Sequence, residues 1–267
     1  IAYASKITGL STLVLTATLS LSAVAQEETF SFDWSETTDR HMRINLTGGS
    51  LDVLGHDGDE VTIVVTNPMT EVGEPMTTAG GLTRLPNAGQ NLRVRQDGNE
   101  IILRSGTAEE HSDIMVRLPR DARLTLYSSM EGEIRVEDVH GELELQASTA
   151  SVEVLGIRNA AVIHAHAEDL TATVASTDFP GPLVLTSWSG DIDLKLPGSL
   201  PANLRWRTSY GDVLTDLEVT GVETVMEREE SEDGARIEGF TQGRVNGGGA
   251  EISMTTYSGD IMLRRTE

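Results

Sequence analysis

The chain has 267 residues, with 42 acidic against 20 basic side chains and a formal net charge of −22. A surface this acidic argues against nucleic acid or an anionic membrane as partner. There is no cysteine, which excludes disulfides, thiolate metal sites and a cysteine nucleophile.

Residues 1–25 read as a secretory signal peptide. Lys6 gives a weak positive n-region, Ile7 to Leu21 is apolar, and Ala23-Val24-Ala25 is a small-x-small cleavage site before Gln26. The alternative is an uncleaved anchor, but the stretch is short and polar for a membrane span. No second apolar run of spanning length follows, and no lipid-attachment cysteine. The mature chain is therefore expected in the periplasm, on the outer surface or outside the cell, with no transmembrane anchor.

After the leader, apolar residues recur with period two and helix signals are almost absent. Phe30 to Trp34, Met42 to Leu46 and Ser50 to Leu54 alternate, and Val61 to Val65 is a β-branched run after Asp57-Gly58-Asp59. Leu92-Arg93-Val94 and Glu100 to Leu103 flank Asp97-Gly98-Asn99, a hairpin-type turn. Asp113 to Leu118 is another strand, stopped by Pro119. Between them, residues 67–91, rich in Gly, Pro, Thr and Met, read as a mobile loop. Residues 26–122 thus form an amino-terminal β-strand region.

From Arg123 a repeat takes over. Ser187-Trp188-Ser189-Gly190-Asp191-Ile192 is echoed by Ser209-Tyr210-Gly211-Asp212-Val213 and by Tyr257-Ser258-Gly259-Asp260-Ile261. A looser copy stands at Ser129-Met130-Glu131-Gly132-Glu133-Ile134. Strands following the turn open at Ile134, Val152, Leu170, Ile192 and Val213, and a second series opens near Leu143, Val162, Leu183 and Leu204. Two interleaved series with a common step of about 20 residues predict an all-β, parallel β-solenoid over residues 123–267. Residues 223–249, with the acidic run from Glu227 to Asp233 and Gly247-Gly248-Gly249, read as a solvated loop excursion before the last coil is completed.

With these phrases in place, the chain resembles the "putative adhesin" family of bacterial envelope proteins, a domain of unknown function built from repeated S-G-D-I units. The matching segments are 187–194, 209–213 and 256–263, Asp113 to Pro119, Leu194-Lys195-Leu196-Pro197, and Gly49 to Gly55. The likeness covers about residues 40–267 and departs from the pattern over 147–180, where Ala150-Ser151 and Glu168-Asp169 replace the Gly-Asp turns. It implies an exported, right-handed β-solenoid and carries no catalytic residues.

Several residues are candidates for sites. Gly190, Gly211 and Gly259 are structural turns, needed for a special backbone conformation or for close coil-to-coil approach. Asp191, Asp212 and Asp260 would stack at equivalent corners, solvated or bridged by a cation such as calcium. Trp188, Tyr210 and Tyr257, with Met130 earlier, would form an aromatic ladder that either stiffens the sheet or binds a ligand. His164 and His166, with Glu168 at the same spacing, could face a metal, but lack an evident further ligand. There is no G-x-S-x-G elbow, H-E-x-x-H or phosphate loop. The reading is a secreted, non-enzymatic β-solenoid that binds or scaffolds at the bacterial cell envelope, without a cofactor, its partner a glycan or protein of the envelope or surface. The alternatives are a polysaccharide-active lyase or hydrolase on a β-helix, whose paired acids cannot be singled out among 42, or an envelope assembly or sensing component whose end coils pair with another chain.

Overall fold

The computed structural model describes residues 27–34, 39–66, 76–77, 83–84, 92–105, 113–231 and 234–266. Every regular element among them is a strand. In chain order they are β1 (Glu27–Asp33), β2 (His41–Leu46), β3 (Leu51–His56), β4 (Glu60–Thr66), β5 (Met76–Thr77), β6 (Thr83–Arg84) and β7 (Arg93–Asp97). Next come β8 (Glu100–Arg104), β9 (Asp113–Pro119), β10 (Arg123–Glu137), β11 (Leu143–Ile157), β12 (Ala161–Ala165), β13 (Leu170–Val174) and β14 (Leu183–Ser187). The rest are β15 (Ile192–Pro197), β16 (Ala202–Arg207), β17 (Val213–Thr215), β18 (Thr220–Ser231), β19 (Gly234–Val245), β20 (Ala250–Thr255) and β21 (Ile261–Thr266). Period-two alternation dictates this, because every second side chain of a strand faces the same way. In β11 the inward Leu143, Leu145, Ala147, Val152 and Val154 are buried, while Glu144 and Gln146 are exposed.

Nineteen strands share one mostly parallel, hydrogen-bonded sheet; β5 and β6 form a separate pair. The pairings resolve into two ladders. One runs β8, β2, the first half of β10, the first half of β11, β12, β14, β20 and β16. The other runs β9, β3, the second halves of β10 and β11, β13, β15, β21 and β17. Each rung gives one strand to each ladder, and the inward residues of both form a single apolar core from Trp34 to Leu263. The result is a β-solenoid-like stack in which a fully buried Val, Leu or Ile side chain contributes about 1.5–3 kcal/mol.

Rung order departs from chain order at both ends. β20–β21 sits between β14–β15 and β16–β17, so the last strands of the chain are internal. Likewise β2–β3 sits between β8–β9 and β10. Antiparallel strands cover the ends: β4 on β9, β1 on β4, β7 on β8, and at the other end β19 on β16 and β18 on β19.

These facts correct several expectations. No boundary falls at 122/123, because β10 pairs in parallel with β2 and β3 and the core is continuous across it. The stretch 223–249 is not a loop: most of it is the hairpin β18–β19, whose strands satisfy their backbone groups on β16 and on each other. Acidic residues there are carried on a strand, with Glu227 paired to Arg205 at 3.0 Å. Ile134, Val152, Leu170 and Ile192 do stack in order, but Ile261 intervenes before Val213. In the second series the partner of Leu143 is Ala161, not Val162. That one-residue shift matters, since it puts Ala161 inside and leaves Val162 half-buried on the outer face. Pro119, expected just beyond its strand, is the last residue of β9. Residues 1–25, expected to be a leader, and most of 67–91, expected to be a loop, lie outside the described residues.

β2 and β10 are also linked through His41, whose Nε2 lies 2.9 Å from Thr125 Oγ1 and whose Nδ1 lies 3.4 Å from Glu100. Burial pushes the His41 pKa below its ordinary value of 6.5, against the opposing pull of Glu100. The fold therefore favours the neutral ring. Its contribution is complete above pH 6.5 and is lost as pH falls through the lowered folded value. Urea unfolding of wild type and His41→Asn across this range should show the wild type losing stability relative to the variant as pH falls.

Candidate functional site

The Gly-Asp turns of three neighbouring rungs line up along one edge, in the spatial order 187–192, 256–261, 208–213. Each turn begins with a hydroxyl three residues before its glycine. Gly190 N–H donates to Ser187 Oγ at 3.0 Å, Gly259 N–H to Thr256 Oγ1 at 3.2 Å, and Gly211 N–H to Thr208 Oγ1 at 2.9 Å. Those hydroxyls then reach across rungs: Thr256 Oγ1 donates to Gly190 C=O at 3.3 Å and Thr208 Oγ1 to Gly259 C=O at 3.0 Å. Ser187 and Thr256 are buried, 3% and 2% exposed.

The glycines serve close approach. A Cβ at Gly190 would collide with the Glu168 carbonyl, one at Gly259 with the Gly190 carbonyl, and one at Gly211 with the Gly259 carbonyl. None of the three has a left-handed backbone, so contact between rungs, not φ, requires glycine here.

The aspartates form a relay. Asp191 N–H donates to Asp169 Oδ1 at 2.9 Å, Asp260 N–H to Asp191 Oδ1 at 2.7 Å, and Asp212 N–H to Asp260 Oδ1 at 2.8 Å. Each of Asp169, Asp191 and Asp260 thus accepts the backbone N–H of the next rung. Glu168-Asp169, read from sequence as a break in the pattern, supplies the first acceptor of the series. Among the described residues no group of three or more His, Asp or Glu side chains could hold a metal ion.

Outside the relay lies an aromatic pile. His166 stacks on Trp188 with centroids 5.9 Å apart, Trp188 on Tyr257 at 4.6 Å, and Tyr257 meets Tyr210 edge-on at 5.2 Å. The 4.6 Å separation matches the ~4.8 Å spacing of strands in a sheet. Trp188 is covered on both faces, leaving ring edges outward; Tyr210, 75% exposed, ends the pile. The Tyr210 hydroxyl beside it pushes the Tyr257 phenol above its ordinary pKa. The structure thus brings Trp188, Tyr257 and Tyr210 together in an order that the sequence does not reveal. His166 joins them as a ring, while His164 stands on the outer face of β12. The side chain of Met130 is outside the described residues. The hydroxyls at Ser187, Thr208 and Thr256 escaped the sequence reading, although their constant spacing to the glycine was visible.

A repetitive, all-β stack with an aligned turn relay is the class of protein that this geometry defines. The Toastrack DUF4097 family model matches residues 108–264, more than half of the chain, and the protein belongs to that family. No curated protein matches it. Among solved structures it is similar to a "putative cell adhesion protein" from Clostridium sporogenes ATCC 15579, with 10% identity, 91% of this chain and 100% of that chain covered, and a TM-score of 0.39. A "putative adhesin" from Bacteroides fragilis NCTC 9343 is also similar, with 10% identity, 90% and 97% coverage and a TM-score of 0.36. A "putative lipid binding protein" from Parabacteroides distasonis ATCC 8503 has 8% identity, 90% and 97% coverage and a TM-score of 0.24.

Two substitutions test the turn. Thr256→Val keeps the shape but strands the Gly259 N–H and the Gly190 C=O, and should cost about 1–3 kcal/mol in urea unfolding. Gly259→Ala, forcing a methyl against a backbone carbonyl, should cost about 3 kcal/mol or more.

Proposed function

We propose that this protein is a non-enzymatic binding or scaffolding component of the bacterial cell envelope, exported by the leader at 1–25 and built as a right-handed β-solenoid. The observation that carries this reading is the aromatic pile His166–Trp188–Tyr257–Tyr210 on the edge of a rigid stack. Trp188, Tyr257 and Tyr210 are 54%, 41% and 75% exposed. Rings stacked on each other lose little entropy on binding, and their edges carry an indole N–H and two phenol hydroxyls. A row of this kind suits a surface component that presents repeated groups, whether glycan or protein. On a stack of this kind recognition is spread along rungs and not concentrated in one cleft. Among the described residues, no helix is long and apolar enough to cross a membrane.

The test uses the mature chain on a glycan array and in pull-downs from envelope fractions. Wild type should retain a partner, and Trp188→Ala with Tyr257→Ala should weaken capture by about tenfold or more, about 1.4 kcal/mol, with circular dichroism unchanged. Retention by the double variant at wild-type strength would remove the pile from the reading. Turnover of an envelope glycan, abolished by one carboxylate substitution, would replace it with an enzyme.

A further inference from the structure

The two ends of the stack are finished differently. At the amino-terminal end both ladders are covered, by β4 and β1 on β9 and by β7 on β8. At the other end β19 and β18 extend only the first ladder, past β16. The second ladder stops at β17, which among the described residues pairs with β21 alone.

Three observations place an unfinished rung there. First, the inward column Leu170, Ile192, Ile261, fully buried throughout, continues into Val213, which is 38% exposed because no rung follows it; Leu214 beside it is 54% exposed. Second, Ile261 N–H donates to Asp212 C=O and Asp216 N–H to Leu263 C=O. In a parallel ladder this alternation turns the N–H and C=O of Val213 and Thr215 toward the open side. Third, the carboxylate relay stops here: Asp212 N–H is bonded to Asp260, and the exposed Asp212 carboxylate has no further rung to receive.

The surroundings define the occupant. Asp212, Asp216 and Glu218, which flank β17 in the chain, are all exposed, and Asp216 Oδ1 accepts from Arg265 N–H of β21 at 2.8 Å. A second copy of this chain would bring the same carboxylates against them, on a molecule already carrying −22. We propose that the free edge of β17 accepts, as its next strand, an extended segment of another protein in which apolar residues alternate with Lys or Arg. Main-chain bonds to Val213 and Thr215 supply affinity, the apolar residues cover the Val213 column, and the cations meet Asp212, Asp216 and Glu218.

The probe is a short, fluorescein-labelled, acetylated and amidated peptide of alternating lysine and valine, titrated into the mature chain by anisotropy. Binding should saturate and weaken as salt rises. Leu214→Lys, and Val213→Pro (which removes an edge N–H without touching the β21 ladder), should each weaken it by about tenfold or more. The peptide N-methylated at every residue, which leaves no main-chain N–H for β17 in either strand direction, should bind about tenfold more weakly as well. Failure of the parent peptide to bind overturns the proposal, as does equal binding by the N-methylated peptide or by an alternating Glu–Val peptide. Dimerisation in light scattering that Leu214→Lys abolishes would also overturn it, by making this edge a self-interface. The variants lie in β17 and leave Trp188 and Tyr257 in place, whereas the pull-down compares Trp188→Ala and Tyr257→Ala with an intact β17, so the two results are read separately.

Discussion

Everything in this stack depends on how closely one turn can sit on the next. The strands demand a fixed spacing, and at the corner that spacing leaves no volume for a side chain. Glycine at 190, 259 and 211 removes the obstruction, and the released space is filled by hydrogen bonds. A hydroxyl closes each turn on itself and, in two of them, clips it to its neighbour, while an aspartate receives the backbone of the rung that follows. Buried polar groups are costly only when unpaired; here the corner converts them into a register device. The aromatic pile follows from the same spacing, which brings rings of adjacent rungs into contact, face to face for Trp188 and Tyr257 and edge-on for Tyr257 and Tyr210.

The regular part of this design is legible in the sequence. Alternation declares strands, the Gly-Asp phrase declares corners, and the step between phrases declares stacking, so Ile134, Val152, Leu170 and Ile192 fall into one column as read. Rung order is not legible where it departs from chain order. The phrase at 257–261 is locally equivalent to those at 187–192 and 209–213, so nothing in its residues says that it belongs between them. The hairpin β18–β19 escapes for a related reason: a run of acidic residues looks like a solvated loop, and only pairing with β16 reveals strands. Val162 shows the limit of alternation itself. A valine is a better core residue than the alanine before it, yet register with Leu143 and Leu183 decides for Ala161.

The candidate site was legible as a set of residues and not as an arrangement. Trp188, Tyr210 and Tyr257 are marked by their place before the glycine, but which ring touches which depends on rung order. In the sequence His166 reads, beside His164, as ordinary packing or as one of a metal-binding pair; in space its ring lies on the indole of Trp188. The aspartates carried a double meaning that sequence cannot resolve, because a carboxylate at a corner serves a cation and a backbone N–H equally well.

The insertion of β20–β21 between β14–β15 and β16–β17 has a bearing on how the molecule is assembled. A solenoid whose coils follow chain order can grow by adding each new coil to the finished face behind it. Here the final strands, Ala250–Thr255 and Ile261–Thr266, fill an interior layer. Until they arrive, β14–β15 has a parallel neighbour on one side only, and β16–β17 has no parallel neighbour at all. A polypeptide that emerges amino end first from the ribosome therefore cannot zip up progressively. Its carboxy-terminal segment acts as a keystone, and losing it would split the column from within instead of shortening it.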